Sequence, residues 1–175
     1  MRARRILVAG AAGAGKTTLA ARIAAATGVP HTEIDGLYWR AGWTANAAFV
    51  EEVEALVAEH AWVTEFQYHE VLPILADRAD LLVWLRPPRP LVLFRVVRRT
   101  ILRRIRRELL WGVNREQPLW RIFTDRDHII RYAVRGFRTT EDRLREAAAA
   151  HPRLPMVQVR SRRDAERLLA RLAAG

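Results

Sequence analysis

The chain has 175 residues, half of them hydrophobic, and its 30 Lys and Arg side chains outnumber 19 Asp and Glu side chains, which gives a formal net charge of +11. This length and composition predict one globular domain over residues 1–175 and exclude a disordered chain. The absence of cysteine excludes disulfides and thiolate metal sites, and no apolar run approaches the ~20 residues of a membrane span. We expect a cytoplasmic protein without a membrane partner, whose charge favours anionic ligands.

The first predicted strand and helix enclose a glycine-rich loop. Residues 4–9 end in a short apolar run typical of a buried parallel strand, and residues 17–27 have apolar side chains at helical spacing. Residues 10–17 between them, GAAGAGKT, fit the phosphate-loop pattern G-x-x-x-x-G-K-[ST] at every fixed position. Backbone N–H groups of such a loop converge on phosphate oxygens. We expect a nucleotide-phosphate site formed by Gly10, Ala11, Gly13, Ala14, Gly15, Lys16, Thr17 and Thr18.

Lys16 is the only lysine of the chain, and the other 29 basic side chains are arginines. A compact ammonium on a flexible stem fits where the wide, planar guanidinium does not. Lys16 is therefore predicted to reach the β- and γ-phosphates, and the Thr17 hydroxyl is predicted to hold Mg²⁺.

Apolar strands alternate with helical stretches along the rest of the chain, which predicts an α/β fold with a parallel sheet. The predicted strands are residues 4–9, 31–35, 61–65, 81–85 and 155–159. The predicted helices are residues 17–27, 45–59, 71–76, 90–109, 128–150 and 164–173. In such sheets the ligand lies beyond the carboxyl ends of the strands, so the residues that follow each strand are the candidates for function.

Asp35 and Trp39 follow the second predicted strand. The Asp35 carboxylate can accept a proton from an acceptor hydroxyl or help to order Mg²⁺, and Trp39 and Trp43 can stack on a flat acceptor. The alternative is that Asp35 and Gly36 only form a turn and that the tryptophans cover the core.

Glu65, Gln67 and Tyr68 follow the third predicted strand. Glu65 is predicted to hold Mg²⁺ through water, although it can also be a simple surface charge at a strand end. Gln67 and Tyr68 offer an amide and a phenol to an acceptor. The fourth strand has no acid at its end, which favours Glu65 or Asp35 as the partner of the metal.

The helix predicted from Pro90 carries one apolar stripe of Phe94, Val97, Ile101, Ile105 and Leu109. Arginines lie along a neighbouring face: Arg95, Arg99, Arg103 and Arg106. A break near residues 110–120 predicts a lid over residues 100–127, and a second arginine series, Arg131, Arg135 and Arg138, follows it. Guanidinium groups that close over a transferring phosphoryl group stabilise its charge, although each of these arginines can also be a solvated surface residue.

With these residues, the chain resembles the adenylate-kinase-like group of P-loop kinases, and within it the DNA topology modulation proteins. The resemblance rests on the phosphate loop, on residues 35–39 and 62–68, on the spacing from Pro88 to Arg95 and Arg99, and on Arg138. It implies a P-loop NTPase fold with a five-stranded parallel sheet flanked by helices, a helical Arg-rich lid, and the use of ATP and Mg²⁺. It also implies that Arg95 packs on the adenine and that Arg99 contacts phosphate.

We expect an ATP-dependent phosphotransferase, a small-molecule kinase similar to nucleotide and nucleoside kinases. Lys16, Asp35, Arg99 and Arg138 are the catalytic candidates, and Asp35 is the predicted base. The acceptor, a nucleotide, a nucleoside or a small polyol, would lie between Asp35, Trp39 and Tyr68. The alternative is a nucleic-acid-associated regulatory ATPase, which the net charge and the two Arg-lined helices favour and which predicts a steep salt dependence of binding.

Overall fold

Strands and helices alternate along the computed structural model, which describes residues 3–106, 109–110, 114–115 and 129–175. The strands are β1 (Arg5–Ala9), β2 (Trp39–Arg40), β3 (Thr44–Ala45), β4 (Trp62–Glu65), β5 (Leu81–Leu85), β6 (Leu109–Leu110), β7 (Asn114–Arg115) and β8 (Met156–Val159). The α-helices are α1 (Lys16–Thr27), α2 (Ile34–Tyr38), α3 (Phe49–Ala58), α4 (Leu72–Arg78), α5 (Arg89–Arg106), α6 (Ile129–Ala150) and α7 (Arg162–Ala173). The order confirms an α/β fold.

β4, β1, β5 and β8 lie side by side in that order and form one parallel sheet. Val8 of β1 lies opposite Glu65 of β4 on one side and Val83 of β5 on the other. Because the strands run in the same direction, their carboxyl ends meet at one edge of the sheet. That edge holds the glycine-rich loop, which follows β1, and Glu65, which ends β4.

The core has two halves, one on each face of the sheet, because successive strand residues point to opposite faces. Ile6 and Val8 pack with α1 and α7 on one face. Leu7 and Leu82 pack with α3, α4 and α6 on the other. Both faces are covered, which explains why the strands are apolar runs rather than alternating patterns.

The prediction of five parallel strands is wrong, because the sheet has four strands in the described part of the chain. Residues 31–35, predicted as a strand, make a single parallel bridge between His31 and Val63, and the Thr32 N–H donates to the Val63 carbonyl. The next backbone donor used, the Ile34 N–H, bonds the Glu65 carboxylate instead of a neighbouring strand. The chain therefore turns into α2, and Asp35 stands in a helical turn rather than at a strand end.

Two predicted helix boundaries also move. The helix predicted at residues 45–59 begins only at Phe49, because Thr44–Ala45 pairs with Trp39–Arg40 in a small antiparallel hairpin. The helix predicted at residues 90–109 ends at Arg106, and Leu109 lies in β6. None of the helices in the described ranges is both long enough and apolar enough to cross a membrane.

Most of the predicted lid, residues 100–127, lies outside the described residues. Within that range α5 continues to Arg106, and β6 pairs with β7 in an antiparallel hairpin whose second strand approaches the 3-10 turn Ala41–Trp43. The side chains of Arg103, Arg131 and Arg135 are also outside the described part of the structure. Closure of a lid therefore stays a prediction.

Helix α5 packs on the glycine-rich loop through its inner face, where Val92, Val96 and Thr100 are buried. The apolar stripe lies on the outer face instead, where Phe94 is 63% exposed and Ile105 is 72% exposed. The inner face carries compact β-branched side chains because the loop comes very close: a Cβ on Gly13 would lie 2.2 Å from Val96 Cγ2. The most apolar face of this helix is thus not the face that contacts the core.

We predict that Gly13→Ala destabilises the fold more than Gly28→Ala does. Both glycines have positive φ, 81° and 72°, so alanine costs about 1–2 kcal/mol at either position. Only Gly13 would meet a neighbour, since nothing lies within 4 Å of a Cβ on Gly28. Overpacking should therefore lower the free energy of unfolding of Gly13→Ala by about a further 1–3 kcal/mol, which urea unfolding measures. Equal losses at the two positions would contradict the packing of α5 on the loop.

Candidate active site

The glycine-rich loop joins the end of β1 to the start of α1. Gly15 has a left-handed conformation, φ 103° and ψ 27°, directly before the helix, and the Ala14 N–H donates to the Ala11 carbonyl at 3.0 Å. Thr17 and Thr18 are exposed in the first turn of α1, whose leading N–H groups have no partners inside the helix. The loop therefore presents backbone donors and two hydroxyls at one point, as a phosphate site requires.

Lys16 lies across this loop, and its Nζ donates to the Gly10 carbonyl at 3.1 Å. Burial lowers the pKa of the Lys16 ammonium, whereas the carboxylates of Asp35 and Glu65 raise it. Arg99 lies close enough to lower the pKa of Lys16 further. The structure thus brings two cations and two carboxylates together beside the loop.

The Asp35 carboxylate is held by two donors on the segment after β4. Gln67 Nε2 donates to Asp35 Oδ1 at 2.5 Å, and the Tyr68 hydroxyl donates to the same oxygen at 2.6 Å. Burial raises the pKa of Asp35, and Glu65 adds to the rise, while Tyr68, Lys16 and Arg99 act in the opposite direction. The predicted grouping of Asp35, Gln67 and Tyr68 is therefore found, but Gln67 and Tyr68 contact Asp35 itself.

The backbone of Tyr68 is strained at this site. Its φ is 64° and its ψ is 109°, a region that side chains other than glycine rarely adopt. Such a conformation persists only where the surrounding contacts fix it, and it is common at functional sites. Here the contacts are the hydrogen bond to Asp35 and the stacking of the ring on Tyr38, with centroids 4.0 Å apart.

Glu65 is almost fully buried, with 2% of its surface exposed, and links three segments. Its Oε2 accepts the Ile34 N–H at 3.0 Å, its Oε1 lies 3.3 Å from His31 Nε2, and the Thr17 hydroxyl is a further partner. Burial by itself raises the pKa of Glu65, but the contacts with His31 and Ile34 outweigh it, so the pKa lies below its ordinary value. Glu65 is not a surface charge, and it stands beside the predicted metal ligand Thr17.

Arg95, predicted to pack on adenine, and Arg99 and Arg138, predicted to act on phosphate, have different positions. Arg99 is half-buried and interacts electrostatically with Lys16 and Asp35. Arg95 is exposed, and its guanidinium lies over the loop, 3.4 Å from the Ala14 carbonyl. Arg138 is exposed on α6. Contact of Arg95 with adenine and a catalytic role of Arg138 stay predictions.

Trp39 belongs to a chain of aromatic rings that begins at Asp35. Tyr68, which bonds Asp35, stacks on Tyr38; Trp39 meets the Tyr38 ring edge-on at 4.8 Å, and Trp43 meets Trp39 edge-on at 5.4 Å. All four side chains are partly exposed. These four rings, called the aromatic wall below, form one side of the space beside Asp35.

Several residues of this site were missed in the sequence. His31 and Tyr38 were not singled out: His31 is the first residue of the predicted strand 31–35, and its contact with Glu65 joins segments 34 residues apart, which no local pattern marks. A cavity of about 350 Å³ beside Ala11 and Ala14 was also not predicted. It lies between the β5–α5 connection and α6, where Glu141 bonds Arg86 at 3.1 Å. No sequence pattern marks a cavity that forms between distant segments.

Among the described residues, no group of three or more His, Asp or Glu side chains is arranged to hold a metal ion.

Comparison with solved structures shows the fold. A gluconokinase from Sinorhizobium meliloti is 18% identical, with a TM-score of 0.54 and coverage of 98% of this chain and 94% of that one. A shikimate kinase from Acinetobacter baumannii, in complex with shikimate, is 16% identical, with a TM-score of 0.59 and coverage of 97% and 90%. A sugar kinase from Janibacter is 16% identical, with a TM-score of 0.53 and coverage of 98% and 92%.

The chain has the fold of these kinases. The structural match covers nearly the whole of each chain, including the loop and the sheet that carry the candidate site. No protein-family model matches the sequence, and no curated protein sequence matches it either. The resemblance to DNA topology modulation proteins is therefore not shown by these comparisons.

We predict that the stability added by Glu65 depends on pH. Because its pKa is lowered on folding, its contribution is complete above the ordinary value of 4.5 and is lost as the pH falls through the folded value. Glu65→Gln should cost about 1–3 kcal/mol at pH 7, and the difference from the unmodified protein should shrink below pH 4.5. Urea unfolding at several pH values measures this. Glu54→Gln, at an exposed position on α3, is the control, and a pH-independent loss in Glu65→Gln would contradict the assignment.

Proposed function

We propose that this protein is a Mg·ATP-dependent small-molecule kinase. The observation that carries the proposal is the partly buried carboxylate of Asp35, which is fixed by Gln67 and Tyr68 and interacts electrostatically with the loop lysine, Lys16. A phosphate loop alone would also serve an ATPase or a switch. A fixed carboxylate next to it supplies the base that transfer to a hydroxyl requires.

The loop has the features that a nucleoside triphosphate needs. Gly13 and Gly15 have positive φ, so the loop turns tightly, and the Lys16 ammonium now bonded to the Gly10 carbonyl can move to phosphate oxygens. Gly10, Ala11, Ala14 and the α1 residues Thr17 and Thr18 would complete the site, and Thr17 with Glu65 would hold Mg²⁺ directly or through water. Bound ATP would supply the phosphoryl group, and its Mg²⁺ would offset the negative charge of that group.

In the proposed reaction an acceptor hydroxyl oxygen forms a bond to the γ-phosphorus, and the bond from that phosphorus to the β–γ bridging oxygen breaks, with its electron pair retained by ADP. The hydroxyl proton passes to Asp35. Gln67 and Tyr68 both donate to Oδ1, and Oδ2 accepts no other hydrogen bond among the described residues, so Oδ2 is the oxygen that receives the proton. Lys16 and Arg99 would stabilise the charge on the phosphoryl oxygens, and Arg138 would join them on closure of the lid.

The alternative of a nucleic-acid-associated ATPase rests on the net charge of +11 and on the arginine-rich sequences of α5 and α6. The two proposals differ in what stimulates ATP turnover. Duplex DNA and single-stranded RNA therefore belong in the same assay as small hydroxylated acceptors, and stimulation by nucleic acid without any phosphorylated small product would replace the kinase proposal.

We predict that Lys16→Ala and Asp35→Asn both abolish phosphorylation of a small acceptor but affect ATP differently. Asp35→Asn should lower kcat by about 10²–10⁴-fold and leave the Kd of ATP nearly unchanged, because it removes only the base. Lys16→Ala should weaken ATP binding as well. Product formation by ³¹P NMR and ATP binding by calorimetry measure the two effects. The control is Asp142→Asn, at an exposed position on α6, and an Asp35→Asn variant with normal kcat would exclude the base assignment.

We predict that Tyr68→Phe moves the acid limb of the pH profile to higher pH. The pKa of Asp35 is already raised above 3.8 by burial, and the Tyr68 hydroxyl holds it down by bonding the charged form. Loss of that bond should raise the limb of kcat/KM by about one pH unit. Tyr38→Phe is the matched control, since its ring stacks on Tyr68. A limb that moves equally in both variants, or moves to lower pH, would contradict the proposed role of Asp35.

A further inference from the structure

Charge is divided unevenly along this chain. Residues 23–77 contain nine Asp and Glu side chains and a single cationic side chain other than histidine, Arg40, although the whole chain has a net charge of +11. This segment supplies α2, which carries Asp35, and β4, which ends in Glu65. The described charges that act on Asp35 are the carboxylate of Glu65 and the cations of Lys16 and Arg99.

Arg40 is already engaged by a carboxylate. Its guanidinium lies 2.5 Å from Glu52 Oε1 on α3 and also contacts the Gly36 carbonyl at 3.4 Å. The other cations near Asp35 in the described ranges are Lys16 and Arg99, which stand at the phosphate loop. An acceptor with a carboxylate or phosphate group would thus meet Asp35 and Glu65 without a cation of its own among the described residues.

The surface that remains for an acceptor is lined by uncharged aromatic rings. The aromatic wall of Tyr68, Tyr38, Trp39 and Trp43 extends from the Asp35 carboxylate in one continuous series of ring contacts. Aromatic faces pack on the apolar face of a sugar ring or on a nucleobase and need no charge on the ligand. The free oxygen of Asp35 then selects for a hydroxyl group.

From these three observations we propose that the acceptor is an uncharged, hydroxylated ring compound, a sugar or a nucleoside, that stacks on the aromatic wall and presents a hydroxyl to Asp35. This inference rests on the proposed kinase function and narrows it to one substrate class. It excludes acceptors whose recognition depends on a carboxylate or phosphate group, because the described cations near Asp35, Lys16 and Arg99, stand at the phosphate loop.

The test compares pairs of acceptors that share a ring and differ in an added anionic group. Hexoses are paired with the corresponding hexuronates, which keep the ring, and nucleosides with their 3′-monophosphates, which keep the 5′-hydroxyl, each with Mg·ATP and the unmodified protein. We expect the uncharged member to have the higher kcat/KM, by about tenfold or more, because the charged member approaches two carboxylates. The sugar and nucleoside arms identify which ring is used.

Each outcome separates this inference from the function on which it rests. A charged member that is phosphorylated at least as well as its uncharged partner, with the activity lost in Lys16→Ala, would overturn the substrate class and leave the kinase proposal intact. If no member of any pair is phosphorylated while the protein binds ATP, both proposals fail.

The Trp39→Ala variant tests the aromatic wall. The KM for the acceptor and the KM for ATP are both measured, and their changes are compared. Loss of stacking should raise the acceptor KM by about tenfold and leave the ATP KM unchanged, and Trp39→Phe should restore most of the affinity. Phe94→Ala, at an aromatic position 63% exposed on the outer face of α5, is the matched control. If the acceptor KM does not change in a folded Trp39→Ala variant, the aromatic wall does not bind the acceptor.

Discussion

The buried carboxylate of Glu65 is the constraint on which the site depends. A charge that is 2% exposed is costly unless it is paired, and here His31, the Ile34 N–H and Thr17 all contact it. Its bond to Ile34 ends the pairing of this segment with β4 and starts α2. The same bond therefore sets where Asp35 stands. Without it the segment would be free to continue as an edge strand, and Asp35 would lose its place beside the loop.

The second constraint is the close contact of α5 with the loop. Gly13 has no room for a Cβ, so Val92 and Val96 fix how near the helix comes. Arg95 and Arg99, three and seven residues after Val92, are carried to the loop by this contact. The packing of two valines on a glycine thus positions the cations, while Glu65 positions the carboxylate.

The sequence predicted the glycine-rich loop between β1 and α1 and the alternation of strands and helices, because both depend on local patterns. The loop needs glycines and one lysine at fixed spacing, and β1 needs a run of buried apolar residues. It did not predict that residues 31–35 leave the sheet, since that depends on a carboxylate 31 residues further along the chain. The sequence also did not predict that the stripe with Phe94 and Ile105 lies on the outer face of α5, because that too depends on a contact between distant segments. Helical periodicity shows which residues of α5 share a face. It does not show which face packs on the core, and here the contact with Gly13 decides that.

The single lysine follows from the charge balance at the loop. Lys16 and Arg99 face Asp35 and Glu65, two positive groups against two negative ones. In this balanced state the Lys16 ammonium rests on the Gly10 carbonyl. In the proposed reaction the phosphates of ATP would add negative charge, which would draw the ammonium from the carbonyl. Further cations would then be required, and Arg95 on α5 lies beside the loop. A flexible stem with a compact charge can make this move inside a tight loop, whereas the broad, planar guanidinium cannot. Arginine therefore suffices on the surrounding helices, where space is open, and lysine is retained at the one position that is enclosed and must move.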